Sequence, residues 1–290
     1  MRRHLKAMRL TKHVILCLVA ACALGALFVS SASATLPEIG RCVKLEGVKE
    51  GHKTIYKGKF TNKKCTKTSQ TEKGKFEWLP GAGEEKGFES PGTLEPATLE
   101  TPSGAGVECK NSKMFGEYTG ANTEKVEISL FECLEKTSKK FCQSVRPEEV
   151  PPAPQEGTVI SLPLEGKLGF INAHGSRPQV GWEYKPKTGP FLFAFECGQT
   201  TGAGTKISIE GAFIGQVWHP VDKMVEEYFL RNIGSRGKQT PEMFEGGAVA
   251  TMKATIVNPT SLEETTEPIS YSAPVEEQST SEELEIKAKA

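Results

Sequence analysis

The stretch Lys206-Ile207-Ser208-Ile209-Glu210-Gly211-Ala212-Phe213-Ile214-Gly215-Gln216-Val217 decides the fold class. Ile207, Ile209, Phe213 and Val217 fall on one face, with Lys206, Ser208, Glu210 and Gln216 opposite. Successive side chains of a strand point to opposite faces, so a period of two describes a half-buried strand. Gly211 breaks the run and marks a bend or bulge. The same alternation recurs at Val126, Ile128 and Leu130, and at Ile160, Leu162 and Leu164. It recurs again where Ala250, Met252, Ala254 and Ile256 alternate with Thr251, Lys253 and Thr255. Pro190-Phe191-Leu192-Phe193-Ala194-Phe195 is apolar on both faces, the pattern of a central strand covered on both sides. Met224 to Ile233 fits a helical stripe through Met224, Val225, Tyr228 and Phe229, but Tyr228 and Leu230 also alternate, and it is read as a strand. No other segment carries a sustained helical period with caps. Many short amphipathic strands separated by turn residues predict an all-β fold, a sandwich or irregular barrel with a small disulfide-closed N-terminal module.

Composition shifts divide the chain further. Residues 35–83 form a basic module, 84–257 a β-rich domain that can share its core, and 258–290 an acidic tail. Pro147 to Gly157 carries four prolines and three glutamates and reads as an exposed loop. The tail is rich in Glu, Ser, Thr and Pro, a composition expected to stay disordered, with Leu284-Glu285-Ile286-Lys287 as a possible closing strand.

The first thirty-four residues have the form of an export signal. Arg2, Arg3, Lys6, Arg9 and Lys12 precede an apolar run from Val14 to Val29, and Ala32 and Ala34 supply the small residues a signal peptidase accepts before Thr35. The run is short for a bilayer span, which needs roughly 20 residues. An uncleaved anchor is the alternative. Lipidation at Cys22 is a second one, disfavoured because the apolar run continues beyond it. Without this leader 31 basic residues face 36 acidic ones, a net charge of −5. The charge is uneven: 41–75 is +8 and 258–290 is −6, so the basic segment either meets an anionic partner or attracts the chain's own acidic end.

Six cysteines follow the leader: Cys42, Cys65, Cys109, Cys133, Cys142 and Cys197. An even number after an export signal favours disulfides over a zinc site, since no C-x-x-C occurs and the histidines lack ligand spacing. Proximity suggests Cys42 with Cys65 and Cys133 with Cys142, leaving Cys109 with Cys197. A loop of two dozen residues closed this way is worth roughly 3 kcal/mol.

Asp222 is the only aspartate, which removes EF-hand loops and Ser-His-Asp triads. No P-loop, H-E-x-x-H or G-x-S-x-G is present, so no catalytic residue, cofactor or metal is assigned. His52, His174 and His219 lack recognisable partners. Glu165, Glu183 and Glu196 lie near apolar strands and are the best candidates for a carboxylate pair acting on a glycosidic bond. Trp78, Trp182 and Trp218 can stack on sugars, although core packing is the commoner fate. Lys53, Lys57 and Lys59 share a strand face, and Lys63 and Lys64 follow. This stripe suits an anionic cell-wall polymer or glycan, or else guards a strand edge. Nucleic acid is not expected, because the chain after the leader is net acidic and the stripe lacks arginine forks.

Four strings stand out together: Leu36-Pro37-Glu38-Ile39-Gly40-Arg41-Cys42-Val43-Lys44, Gly74-Lys75-Phe76-Glu77-Trp78-Leu79-Pro80-Gly81, Phe244-Glu245-Gly246-Gly247 and Leu284-Glu285-Ile286-Lys287-Ala288. They resemble a group of exported proteins of soil actinobacteria, present as many paralogues per genome and without an assigned function. The resemblance implies secretion and a shared fold and carries over no catalytic residue. The expectation is therefore a secreted or cell-wall-associated, non-catalytic binding or structural protein with no membrane span after signal cleavage. A secreted glycan hydrolase with paired glutamates is the alternative.

Overall fold

The computed structural model describes residues 37–92, 95–145, 155–172, 178–198, 204–219 and 221–289. The leader, His174 and most of the proline-rich loop lie outside the described residues. Every regular element among the described residues is a strand. They are β1 (Glu38–Lys44), β2 (Val48–Glu50), β3 (Lys53–Ile55), β4 (Phe76–Pro80), β5 (Gly87–Glu89), β6 (Ala97–Glu100) and β7 (Gly106–Cys109). Next come β8 (Asn111–Tyr118), β9 (Thr123–Phe131), β10 (Leu134–Glu135), β11 (Cys142–Ser144), β12 (Val159–Ile160), β13 (Leu164–Asn172) and β14 (Gln179–Pro186). The last are β15 (Phe191–Cys197), β16 (Thr205–Gly211), β17 (Phe213–His219), β18 (Val225–Ser235), β19 (Lys238–Thr240), β20 (Met252–Val257) and β21 (Glu264–Lys287).

All pairings are antiparallel, and they close on themselves. The order β13–β14–β17–β18–β21–β5–β8–β9 returns to β13 and makes one ring of strands. A second ring runs β21–β6–β7–β10, crosses the Leu134–Phe141 bridge to β11, and returns through β15, β16 and β20. Ring closure removes the exposed edges that a flat sheet leaves open.

The alternating run at 206–217 is cut at Gly211, whose φ of +109° is costly for any residue with a Cβ. β16, before it, belongs to the second ring, and β17, after it, to the first. Ile209 and Phe213 are wholly buried on either side of the turn. Val126, Ile128 and Leu130 are buried in β9, and Leu192, Phe193 and Phe195 in β15. Met224 to Ile233 forms a strand as expected. Alternation over 160–164 does not give one strand: Pro163, which has no N–H for a ladder, separates β12 from β13.

The acidic tail is ordered, contrary to expectation. β21 spans 24 residues and pairs with β1, β5, β6, β18 and β20. Its composition misleads because polar side chains occupy inward positions: Glu276, Gln278 and Thr280 are buried between the apolar anchors Tyr271 and Leu284.

All six cysteines among the described residues are in disulfides, but two pairings differ from the sequence expectation. Cys42 joins Cys65, Cys109 joins Cys133, and Cys142 joins Cys197. Proximity in the chain favours Cys133–Cys142, yet strand pairing puts Cys142 directly opposite Cys197 in the β11–β15 ladder. The β7–β10 ladder likewise brings Cys133 beside Cys109.

Candidate functional site

The basic module is built on β1 and β4, which pair from Gly40–Pro80 to Lys44–Phe76. Beyond β1 the chain makes the β2–β3 hairpin, then a loop tied back by Cys42–Cys65. Asn62 folds that loop locally, its side-chain oxygen accepting the Thr66 and Lys67 N–H groups at 3.0 and 2.9 Å. The other edge of β1 takes the end of β21, with Ile39 opposite Ile286. Strings 36–44, 74–81 and 284–288 of the sequence thus meet in one β4–β1–β21 sheet, the fourth being 244–247. The fourth covers the outside of the first ring, where Glu245 accepts the Phe170 N–H at 2.6 Å.

The predicted lysines divide into two groups. Lys59 approaches Glu77 at 3.8 Å and Lys64 approaches Glu283 of β21 at 3.2 Å. The second contact links the basic and acidic ends of the chain. Lys53, Lys57 and Lys63 are exposed and form no ion pair among the described residues. Trp78 is half-buried and carries the Lys287 ammonium 3.9 Å from its ring centre, so that face is occupied. A cleft of about 700 Å³ opens beside the module, lined by Arg41, Lys63, Glu84, Glu226 and Glu282 among others. Arg41 is committed there to the Gly81 and Ala82 carbonyls at 2.8 and 3.0 Å.

Glu165 and Glu183 come together on the outside of β13 and β14, within a row of alternating charge. Glu165 lies opposite Lys125 and Lys185 in the ladders, and Glu183 lies opposite Lys167 and 2.8 Å from Lys185. They line a cavity of about 450 Å³ with these lysines. Glu196 is elsewhere and accepts the Gly204 N–H at 2.6 Å. His52 is exposed, and His219 ends β17. Trp182 is fully buried in the first ring, whereas Trp218 is 42% exposed.

The sequence analysis missed a polar cluster inside the first ring. Glu276 accepts hydrogen bonds from Ser112, Tyr271 and Asn232 at 2.9, 3.0 and 2.6 Å. Burial nevertheless pushes its carboxyl up to about 7, with those three donors opposing the rise. Glu124 is 1% exposed and neither of its carboxyl oxygens has a well-formed hydrogen bond. Burial raises it to about 8, with Tyr184 and Gln278 opposing. Glu124 is therefore held mainly as the neutral acid at pH 7. The signal was present in β9, where Glu124 shares its parity with Val126, Ile128 and Leu130. Both carboxyls are buried with Tyr118, Tyr184 and Met114, and Glu124 also belongs to the lining of the cavity that holds Glu165 and Glu183.

No family model, curated protein or solved structure matches the chain.

Proposed function

We propose that this is an exported, non-catalytic binding or structural protein of the cell envelope, whose basic module holds an anionic wall polymer or glycan. The supporting observation is that Lys53, Lys57 and Lys63 are exposed and make no ion pair among the described residues, while Lys59 and Lys64 face Glu77 and Glu283. Free ammonium groups on a loop locked by Cys42–Cys65 present a positive surface at little ordering cost. Three disulfides are compatible with an oxidising compartment, and the leader supplies the export route. Glu165 and Glu183, each facing lysine, favour a charge ladder over paired catalysis.

Co-sedimentation of the oxidised protein with insoluble cell-wall sacculi tests this. Pelleting at low salt, reversed at high salt, is expected because exposed charges are screened within about 3 Å at 1 M ionic strength. Replacing Lys53, Lys57 and Lys63 together by Gln should abolish it. Absence of pelleting at either salt, or pelleting unchanged in that variant, defeats the proposal.

A further inference from the structure

The register between β17 and β18 shifts at one residue. Val217 pairs with Leu230 and His219 with Phe229, leaving Trp218 as the extra residue of a bulge. A bulge disrupts the ladder locally. Val217 is buried and Trp218, the next residue along the strand, is 42% exposed, as alternation directs.

Arg231 lies across the ladder from Gln216, and its guanidinium carbon is 3.3 Å from the centre of the Trp218 ring. That is contact distance for a stacked guanidinium, which leaves the N–H edge available to a planar anion. Arg231 forms no ion pair among the described residues. Asp222, the one carboxylate side chain lining this cleft among the described residues, has its Oδ1 taken by the Ala288 and Lys289 N–H groups at 2.8 and 3.2 Å. The cleft has a volume of about 560 Å³, and Gln179, Gln216 and Lys289 complete its polar lining. This lies within the roughly 300–1,000 Å³ of small-molecule sites.

We propose that this cleft binds an acidic sugar, its carboxylate held by Arg231, its ring against the part of the Trp218 indole that stays exposed beside the stacked guanidinium, and its hydroxyls on the Gln179 and Gln216 amides. An arginine edge matches a carboxylate through two parallel hydrogen bonds. Glutamine amides both donate and accept, as sugar hydroxyls do. An indole supplies the apolar surface that a sugar ring can cover. The site uses none of the lysines of the basic module, so the two proposals fail separately.

The test is a titration of the oxidised protein with an oligogalacturonate and with a neutral malto-oligosaccharide of equal length, followed by tryptophan fluorescence and calorimetry. Trp182 is buried, and Trp78 lies outside this cleft with Lys287 over its ring, so a ligand-induced change is expected to come from Trp218 and to disappear in Trp218→Ala. Arg231→Gln should weaken uronate binding at least tenfold, and Arg231→Lys several-fold. The Lys53, Lys57 and Lys63 triple Gln variant should bind as the parent does. Because Arg231 is on the surface, its two variants decide the matter even if Trp218→Ala fails to fold. Failure of the uronate to bind, equal binding of the neutral oligomer, full competition by equimolar inorganic phosphate, or insensitivity to both Arg231 variants each overturns the proposal.

Discussion

Glu124 shows how much a single buried carboxyl controls. Its folded-state pKa, about 8, lies above its ordinary value of 4.5. Below that ordinary value both folded and unfolded chains carry the proton, and pH has no leverage. Between 4.5 and about 8 the folded protein holds a proton that the unfolded chain has released, so stability falls as pH rises. Glu276 acts in the same direction up to about 7. Each group should cost roughly 1 kcal/mol per pH unit within its window. Thermal melts are expected to show highest stability near pH 4.5 and a decline toward pH 8, a decline that Glu124→Gln makes shallower. An unchanged slope in that variant would show that Glu124 is ionised or solvated in the fold. Gly166 belongs to the same site: a Cβ there would lie 2.6 Å from Glu124 Cγ and 3.1 Å from the Tyr184 ring. Gly166→Val should therefore cost about 1–3 kcal/mol in a denaturant titration, the usual range for overpacking. That Glu124 points inward was legible in β9. That its oxygens would lack a well-formed hydrogen bond was not, because the groups around it come from β8, β14 and β21, which are far from one another in the chain.

At the scale of elements, β21 separates what composition says from what packing does. Strands such as β9 and β15 announce themselves because their inward residues are apolar. β21 alternates too, but its buried parity switches between Ala273 and Glu276, where its register with β18 shifts, and Glu276 and Gln278 then point inward, where Ser112, Asn232, Tyr271 and Tyr118 receive them. A hydropathy pattern detects only apolar inward residues, so this strand reads as a solvated tail. Removing residues 264–290 should do far more than trim an end. Both rings lose a member, and β1 loses the edge on which Ile39 meets Ile286. Circular dichroism and limited proteolysis of the truncated chain are expected to show loss of cooperative folding; a native-like melt would mean that β21 is dispensable.

For the whole molecule, the disulfides give the sharpest check. Non-reducing peptide mapping should recover Cys109 with Cys133 and Cys142 with Cys197, and no Cys133–Cys142 peptide. Cys142 and Cys197 are 55 residues apart, a loop whose closure is worth about 4 kcal/mol in the chain-entropy model. Replacing both by Ala should lower the melting temperature by several degrees or more, and an unchanged melt would argue against the bridge.

The sequence by itself determined the strand-rich class, because a period of two in apolar side chains is a local property that any antiparallel sheet can use. Number and spacing also favoured disulfides over a metal site for the six cysteines from Cys42 to Cys197, and all six are so paired. Only the tertiary structure decided which cysteines meet, which glutamates are buried, and that the last 24-residue strand belongs to both rings. Those outcomes depend on ladder register between strands separated by about 190 to 250 residues, as with Glu89 and Ser279 or Ile39 and Ile286. Register is set by which faces must be buried together, and a chain read one segment at a time carries no record of that.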